Sequence, residues 1–390
     1  MNAYYIHNGN VVLPDRVIEN SSVTIHDETI VGIDSEYPSG FEKIDAQGGY
    51  ILPGFIDIHV HGGGGADFMD ATVESFHQVA CAHLDYGTTA LCPTTMTCPD
   101  ELLKIVIACY KEAKKTQTDG AEMLGLHLEG PFFSAAGKGA QPVLEQRIPT
   151  EEILEDILKA ADGTILRWDA APELPNMDLF AEVMKRYGVL ASAAHTVATA
   201  EETLRMFDAG FSHVTHFYNG TSTFHKVNGL VHSGVIEATY IRDDVTIELI
   251  ADGRHIPKQS MQLAHRIKGA DRIALITDGM RIAGTNMTHG ILGAQDTGVP
   301  VVVKDEVAQL TDFSSYAGSI CTMDRAFRTA YRDYGLPLCD VCKMTSLTPA
   351  RLCGVETRKG SLTIGKDADI VVMSPELLVK HVFIHGIKKR

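Results

Sequence analysis

The tetrapeptide His59-Val60-His61-Gly62 closes an apolar run, Ile51-Leu52-Pro53-Gly54-Phe55-Ile56-Asp57-Ile58. Side chains alternate faces along a strand, so residues two apart project the same way. The two imidazoles therefore leave the end of a buried strand together. Gly62 to Gly65 follow, and backbone without a Cβ lets solvent or a ligand approach closely. Two imidazoles so placed make half of a metal site. The other half must come from elsewhere in the chain.

The elements that would have to supply it are legible as a pattern. The middle of the chain alternates short apolar runs with amphipathic stretches. The runs predict strands over 51–58, 88–95, 122–129, 165–171, 189–195, 212–217, 245–251 and 272–278. The stretches predict helices over 72–86, 100–115, 151–161, 178–187, 199–209, 257–268 and 324–334. Such alternation implies right-handed βαβ units and a parallel sheet. Eight units predict an α/β fold, a (β/α)8 TIM-like barrel, whose functional side chains gather at the C-terminal ends of the strands. The competing doubly wound sheet finds no GxGxxG at a strand–helix junction. Both chain ends are instead β-rich with turn residues, including Asn8-Gly9. They predict one small β-sandwich domain from residues 1–52 and 356–390, with the barrel over 53–355.

The barrel sets a test for the histidine pair, because the missing ligands must stand at other strand ends. Strand 3 ends in Gly125-Leu126-His127-Leu128-Glu129-Gly130-Pro131, strand 5 in Ala194-His195, strand 6 in His213-Val214-Thr215-His216, and strand 8 in Thr277-Asp278. His59, His61, His195, His216, Glu129 and Asp278 then converge on one face. Imidazole nitrogen and carboxylate oxygen suit Zn²⁺, Fe²⁺ and related divalent ions. Glu129 and Asp278 would be costly buried charges without a cation or another partner. His127 is read as supporting or packing, and His213 as unrelated. A divalent cation acidifies water and polarises a carbonyl, and two ions bridged by Glu129 would do both. Asp278 is then the natural base for the attacking water and the carrier of its proton to a leaving nitrogen. The chemistry expected is metal-assisted hydrolysis of an amide, with one or two ions per subunit; Zn²⁺, Fe²⁺ and Mn²⁺ all fit.

Composition narrows the partners. A formal charge of −16 over 390 residues argues against nucleic acid or an anionic membrane surface. An anionic substrate would need locally placed Arg, Lys or His. The N-terminal Met1-Asn2-Ala3-Tyr4-Tyr5 has no basic segment followed by an apolar one, so no secretory signal is expected. Eight scattered cysteines read as reduced thiols, and the chain is expected to be cytoplasmic. Cys339 and Cys342 form one CxxC without a second pair, read as structural.

These residues resemble the amidohydrolase superfamily and, within it, the N-acetylglucosamine-6-phosphate deacetylase family. The resemblance runs over nearly the whole chain. It rests on Pro53-Gly54-Phe55-Ile56-Asp57, the strand-3 segment around Leu128-Glu129-Gly130-Pro131, Thr215-His216-Phe217-Tyr218-Asn219-Gly220, Ala251-Asp252-Gly253-Arg254-His255 and Thr277-Asp278. The stretch Thr348 to Gly354 with Gly365-Lys366-Asp367-Ala368-Asp369 is superfamily-wide. The resemblance implies removal of acetate from an amino-sugar phosphate, N-acetyl-D-glucosamine 6-phosphate. It puts Glu129, His195 and His216 on the metal, makes Asp278 the acid/base and has His255 orient the substrate. It also makes Ala140, Asn219, Gly220, Ala317, Gly318 and Ser319 substrate contacts. His59 and His61 place the chain with the two-metal members. A homodimer sharing the phosphate site is implied as well. The Arg that many members carry shortly after Asn219 is missing here; His225 and Lys226 are the candidates to replace it, and Arg254 is a further suspect. Relatives that bridge two metals with a carboxylated lysine differ, since Asp169-Ala170-Ala171-Pro172-Glu173 at the end of strand 4 holds no Lys. A D-amino-acid deacetylase, or a cyclic-amidase relative, is the competing enzyme. An inactive scaffold of the same fold is opposed by the intact ligand set and Asp278.

Overall fold

The computed structural model describes residues 2–142 and 147–390. Eight parallel strands occupy the middle of the chain: β1 (Phe55–Val60), β2 (Thr88–Pro93), β3 (Leu126–Phe132), β4 (Ile165–Ala170), β5 (Leu190–Ala193), β6 (Phe211–Val214), β7 (Thr246–Ile250) and β8 (Ile273–Ile276). β1 pairs with β2, and β3 to β8 pair in sequence order. Single parallel bridges, Val60 to Gly279 and Thr94 to His127, join the two groups at both margins. The result is a curled parallel sheet in an α/β architecture. Every residue of β1 is buried, as expected of a strand covered on both faces.

Helices α1 (Val73–Leu84), α2 (Asp100–Thr116), α3 (Glu151–Ala161), α4 (Met177–Tyr187), α5 (Ala200–Ala209), α6 (Val235–Tyr240) and α7 (Lys258–Lys268) connect successive strands, and α8 (Met323–Arg328) follows β8. α3 shows why the sequence folds this way. The Thr150 hydroxyl accepts from the Ile153 amide, Glu151 and Glu152 sit in the positive first turn, and Leu154, Ile157, Leu158 and Ala161 form the buried stripe. Asp162 ends the helix in the left-handed region. Between β8 and α8 an antiparallel sheet (His289–Leu292, Val299–Lys304, Val307–Leu310) rises beside the strand ends.

Strand boundaries depart from the sequence expectation in informative places. The run 51–58 is two strands in two sheets. Tyr50–Pro53 pairs antiparallel with Ile370–Met373, and the chain crosses at Gly54 into β1. Only glycine fits there, because a Cβ would stand 2.1 Å from Thr89 Oγ1. The run 122–129 also divides: Glu122–Met123 pairs with β2, whereas β3 continues through Gly130-Pro131 to Phe132. The runs 189–195, 212–217 and 272–278 stop as strands at Ala193, Val214 and Ile276, so that His195, His216 and Asp278 lie just beyond.

Strands from both chain ends form a single hydrogen-bonded eight-stranded sheet. It has its own apolar cluster, including Ile6, Val23, Ile25, Ile370, Val372 and Phe383. Buried Lys359 ties it to the strand beside β2, with Glu122 at 2.8 Å and Asp369 as partners. Among the described residues no helix is long and apolar enough to cross a membrane.

Candidate metal centre and active site

His59 stands in β1 and His61 one residue past its end, and their Nε2 atoms are 3.3 Å apart. Glu129 projects from β3 between them and the later strands. Its Oε2 lies 3.2 Å from His61 Nε2, and its Oε1 lies 2.9 Å from His195 Nε2 and 3.0 Å from His216 Nε2. Asp278 Oδ1 completes the ring, 3.2 Å from His61 Nε2 and 3.5 Å from His59 Nε2. Thus all six residues expected from the strand ends come together.

Backbone conformation accounts for the convergence. His195, His216 and Asp278 have φ of 46°, 28° and 48° immediately beyond β5, β6 and β8. These left-handed residues bend the chain so that the side chains lean across the mouth of the sheet. Such backbone costs on the order of 1–3 kcal/mol and persists only where neighbours hold it. The His216 amide donates to Glu248 Oε2 at 3.1 Å, and the Asp278 amide donates to the His59 carbonyl at 2.9 Å.

The donor chemistry fits a divalent cation. His59 Nδ1 donates to the Glu248 carboxylate at 3.0 Å, His195 Nδ1 to the Gly137 carbonyl at 3.0 Å, and His216 Nδ1 to the Asn219 carbonyl at 2.9 Å. With each Nδ1 proton so used, the Nε2 lone pairs face one another around a carboxylate. His195 and His216 Nε2 approach to 3.2 Å, close to the ~3.3 Å that two ligands of a tetrahedral zinc would show. Two groups can each hold an ion: His59, His61 and Glu129, and Glu129, His195 and His216. Glu129 belongs to both. The field asks for positive charge at the same point. Burial disfavours a charged His216, yet Glu129 overrides it and raises that imidazole to about 9. Burial likewise opposes charge on His61, but Asp278 and Glu129 lift it well above its ordinary value. Glu129 is itself held well below the usual carboxylate range, its burial outweighed by His195, His216 and His61. Burial also opposes ionisation of Asp278, and His59 and His61 outweigh it.

Beneath the ligands lies a support that the sequence reading missed. Glu248 of β7 is fully buried and held ionised; burial is overcome by Arg167 and His59. Its partners are the His59 ring, the His216 amide and the Arg167 guanidinium. One carboxylate therefore positions a ligand from each group, the outer-shell arrangement that fixes ring orientation and basicity. The signal was present in the sequence: an acid inside Thr246-Ile247-Glu248-Leu249-Ile250. His213, expected to be unrelated, joins this layer through Arg167 at 3.1 Å. His127 is supporting as expected, donating to Asp169 at 2.8 Å. Gln141, also missed, donates to Glu129 Oε2 at 2.6 Å from the loop across the mouth. Asp57 accepts from Thr277 Oγ1 at 2.5 Å, and burial pushes its carboxyl up to about 7. Glu248→Gln should weaken metal binding by about 10- to 100-fold, read by competition against a chelator; unchanged affinity would remove Glu248 from the site.

The cavity above this centre is lined by His61, Glu129, His195, His216 and Asp278, and by Ala140, Asn219, Gly220, His255 and Gly318. Asn219 Nδ2 is buried and makes no hydrogen bond, a donor left for a ligand. His255 Nδ1 donates to Asp252 at 2.7 Å, which leaves Nε2 free, and its ring packs edge-on against Tyr316. Met96, Leu292, Ile250 and Tyr316 add apolar wall that sequence reading did not find. Ala317 and Ser319 are buried beside Gly318 and do not line the cavity; the Ser319 hydroxyl donates to the Thr277 carbonyl and so fixes the segment.

Three expected contacts stand elsewhere. Arg254 faces a different cleft, paired with Glu306 at 2.6 Å. Its neighbours Asp252 and His255 form a tight turn, from which Arg254 and His255 line different cavities. His225 and Lys226 lie on a hairpin, His225–Val227 with Leu230–His232, and do not line the cavity of their own chain. Among the described residues no Lys or Arg lines that cavity.

Comparison with known proteins gives a consistent result. The model of the amidohydrolase family matches residues 50–388. N-acetylglucosamine-6-phosphate deacetylase of Bacillus subtilis (strain 168) is 34% identical over 372 residues, 94% of this chain and 92% of that protein. N-acetylgalactosamine-6-phosphate deacetylase of Escherichia coli O157:H7 is 32% identical over 373 residues, 95% and 94% of the two chains. Among solved structures, a mutant N-acetyl-D-glucosamine-6-phosphate deacetylase from Mycobacterium smegmatis in complex with N-acetyl-D-glucosamine-6-phosphate superposes with a TM-score of 0.90 at 26% identity, covering 100% of this chain and 99% of that one.

Proposed function

The chain belongs to the amidohydrolase family, and we propose on that footing that it hydrolyses N-acetyl-D-glucosamine 6-phosphate to D-glucosamine 6-phosphate and acetate, a step of amino-sugar metabolism. The observation that carries this reading is Glu129 standing in both ligand groups beside Asp278, at the floor of a cavity with His255 and Asn219 in its wall.

His59, His61, Glu129, His195 and His216 would hold the metal, Zn²⁺ by their nitrogen-rich donor set, with Asp278 at its edge. Bound there, a divalent cation acidifies the attacking water and polarises the acetyl carbonyl. Asp278, held ionised by His59 and His61, takes the proton as the water oxygen bonds to the carbonyl carbon. As the C–N bond breaks, Asp278 returns that proton to the nitrogen, and the products are acetate and the free amine. Asp252 fixes the tautomer of His255, whose Nε2 is then an acceptor for a sugar hydroxyl. Asn219, Gly220, Ala140 and Gly318 border the sugar, with Ala317 and Ser319 behind them.

Among the described residues no Lys or Arg lines the cavity, which supports a second copy supplying the phosphate contact. The hairpin carrying His225 and Lys226 exposes Phe224 (68%), Leu230 (68%) and Val231 (52%), apolar surface that a homodimer would cover. Lys226→Ala should raise KM more than it lowers kcat; an unchanged KM would put the phosphate elsewhere. A charged sugar phosphate is retained behind membranes, which supports a cytoplasmic location. The same reading takes the curled sheet as a (β/α)8 barrel over 53–355, and the terminal sheet as a separate β-sandwich domain over 1–52 and 356–390.

Acetate release tests the function. The purified protein with Zn²⁺, Fe²⁺ or Mn²⁺ should deacetylate N-acetylglucosamine 6-phosphate faster than its C4 epimer, N-acetylgalactosamine 6-phosphate, and faster than an N-acetyl-D-amino acid. No acetate from the first substrate under any of these metals would end the proposal.

A further inference from the structure

Beside the turn that carries His255 lies a second cleft, lined by Arg254, Arg325, Arg328 and Arg332 together with the acids Asp252, Glu306 and Asp333 and with Tyr334. Four guanidinium groups converge there in a chain whose formal charge is −16. We propose that this cleft is a binding site for a phosphate dianion or phosphate monoester, separate from the metal-centre cavity.

The guanidiniums are largely unspent. Each offers five N–H donors. Arg332 makes one hydrogen bond, to the Pro375 carbonyl at 2.7 Å, and has no carboxylate within ion-pair distance among the described residues. Arg325 donates to the Asp252 carbonyl at 2.9 Å, and its nearest carboxylate is Glu306 at 3.8 Å. Arg254 pairs with Glu306 at 2.6 Å, and Arg328 with Asp324 at 2.6 Å and the Leu377 carbonyl at 3.1 Å. Arg325, Arg328 and Arg332 also fall three and four residues apart on the helical segment that begins at Met323 and continues through Asp333. Like charges at these spacings repel and destabilise a helix. An anion between them converts that cost into attraction. Arginine's planar fork matches the oxygens of a phosphate or a carboxylate bidentately, and four such forks suit the double charge and several oxygens of a phosphate better than a halide or a single carboxylate.

The acids that line the cleft leave it open to such a ligand, and among the described residues Asp333 makes no ion pair with any of the four arginines. Asp252 is committed to the turn: its carboxylate accepts from the Arg254 and His255 amides at 2.8 and 2.9 Å and from His255 Nδ1 at 2.7 Å. Glu306 is the competitor for Arg254 and Arg325, but its side chain is 67% exposed at a hairpin turn and can release into solvent. The Asp252 turn ties the two openings together. Arg325 holds its carbonyl from the cleft side, and the His255 ring lines the metal-centre cavity on the other. An occupant of the cleft therefore bears on the residue that faces the substrate.

Equilibrium dialysis of the metal-loaded full chain against inorganic phosphate tests the site. The unaltered protein should bind one more phosphate per chain than the double variant Arg328→Gln/Arg332→Gln. Glu306→Gln, which removes the competing carboxylate, should tighten the same site severalfold. Equal phosphate counts in the unaltered protein and the double variant would overturn the proposal, as would an unchanged affinity in Glu306→Gln. Glucosamine 6-phosphate is the second arm: displacement of the additional phosphate identifies a sugar phosphate ester as the ligand, and failure to displace it identifies free phosphate.

Discussion

Asp278→Asn should lower kcat by about 10²- to 10⁴-fold, the usual worth of a positioned acid/base, while the protein keeps its metal. The carboxylate oxygen Oδ1 sits 3.2 Å from His61 Nε2 and 3.5 Å from His59 Nε2, at the rim of the ligand cluster rather than between its members. Asparagine preserves the shape and one oxygen acceptor, so the left-handed backbone at φ 48° and its bonds to the His59 carbonyl and the Ser319 amide remain. What disappears is the basic oxygen. Asp278 is ionised because the two imidazoles outweigh its burial, and an amide cannot accept and return a proton at neutral pH. The measurement is kcat beside metal per chain. Activity that falls while metal stays identifies proton transfer. A parallel loss of both would make Asp278 a ligand only, and full activity would remove it from the mechanism.

Glu129→Gln should be more damaging still, because Glu129 is the residue common to both ligand groups. The carboxylate satisfies His61 through one oxygen and His195 and His216 through the other. Neutralising it removes the charge that draws a cation to either position. Metal content should fall toward zero, and activity should drop by about 10³-fold or more as several kcal/mol of Lewis-acid stabilisation is lost. His61→Ala gives the contrast. It takes away one member of the first group only, so the protein should retain the ion held by Glu129, His195 and His216 and a measurable fraction of its activity. Elemental analysis of the two variants separates the cases. Equal metal loss in both would mean that the two groups are one site.

How much of this was legible depends on which physical rule wrote it. The His59–His61 pair was readable because strand periodicity places residues two apart on one face. Glu129, His195, His216 and Asp278 were readable as strand-end residues once eight strands had been recognised. The bends that aim them were not, since a non-glycine residue at φ 28° or 48° leaves no mark in composition. Gly54 marked the crossing between sheets only in retrospect: the apolar pattern runs on through it, and the constraint is the side chain of Thr89, far outside any local window. Glu248 and Arg167 were missed because a buried charge in a strand is explained only by its partners on other strands. Arg254, His225 and Lys226 were chosen for local charge beside the right motifs. A sequence does not say which cavity a long side chain at a turn will line, and Arg254 and His255 line different ones.

The most direct test of the account is to strip the protein of metal with a chelator and titrate Zn²⁺ back while following acetate release from N-acetylglucosamine 6-phosphate. The shared Glu129 predicts no turnover in the stripped protein and recovery that is complete by two ions per chain. Full acetate release without metal, or none at any amount restored, would contradict it.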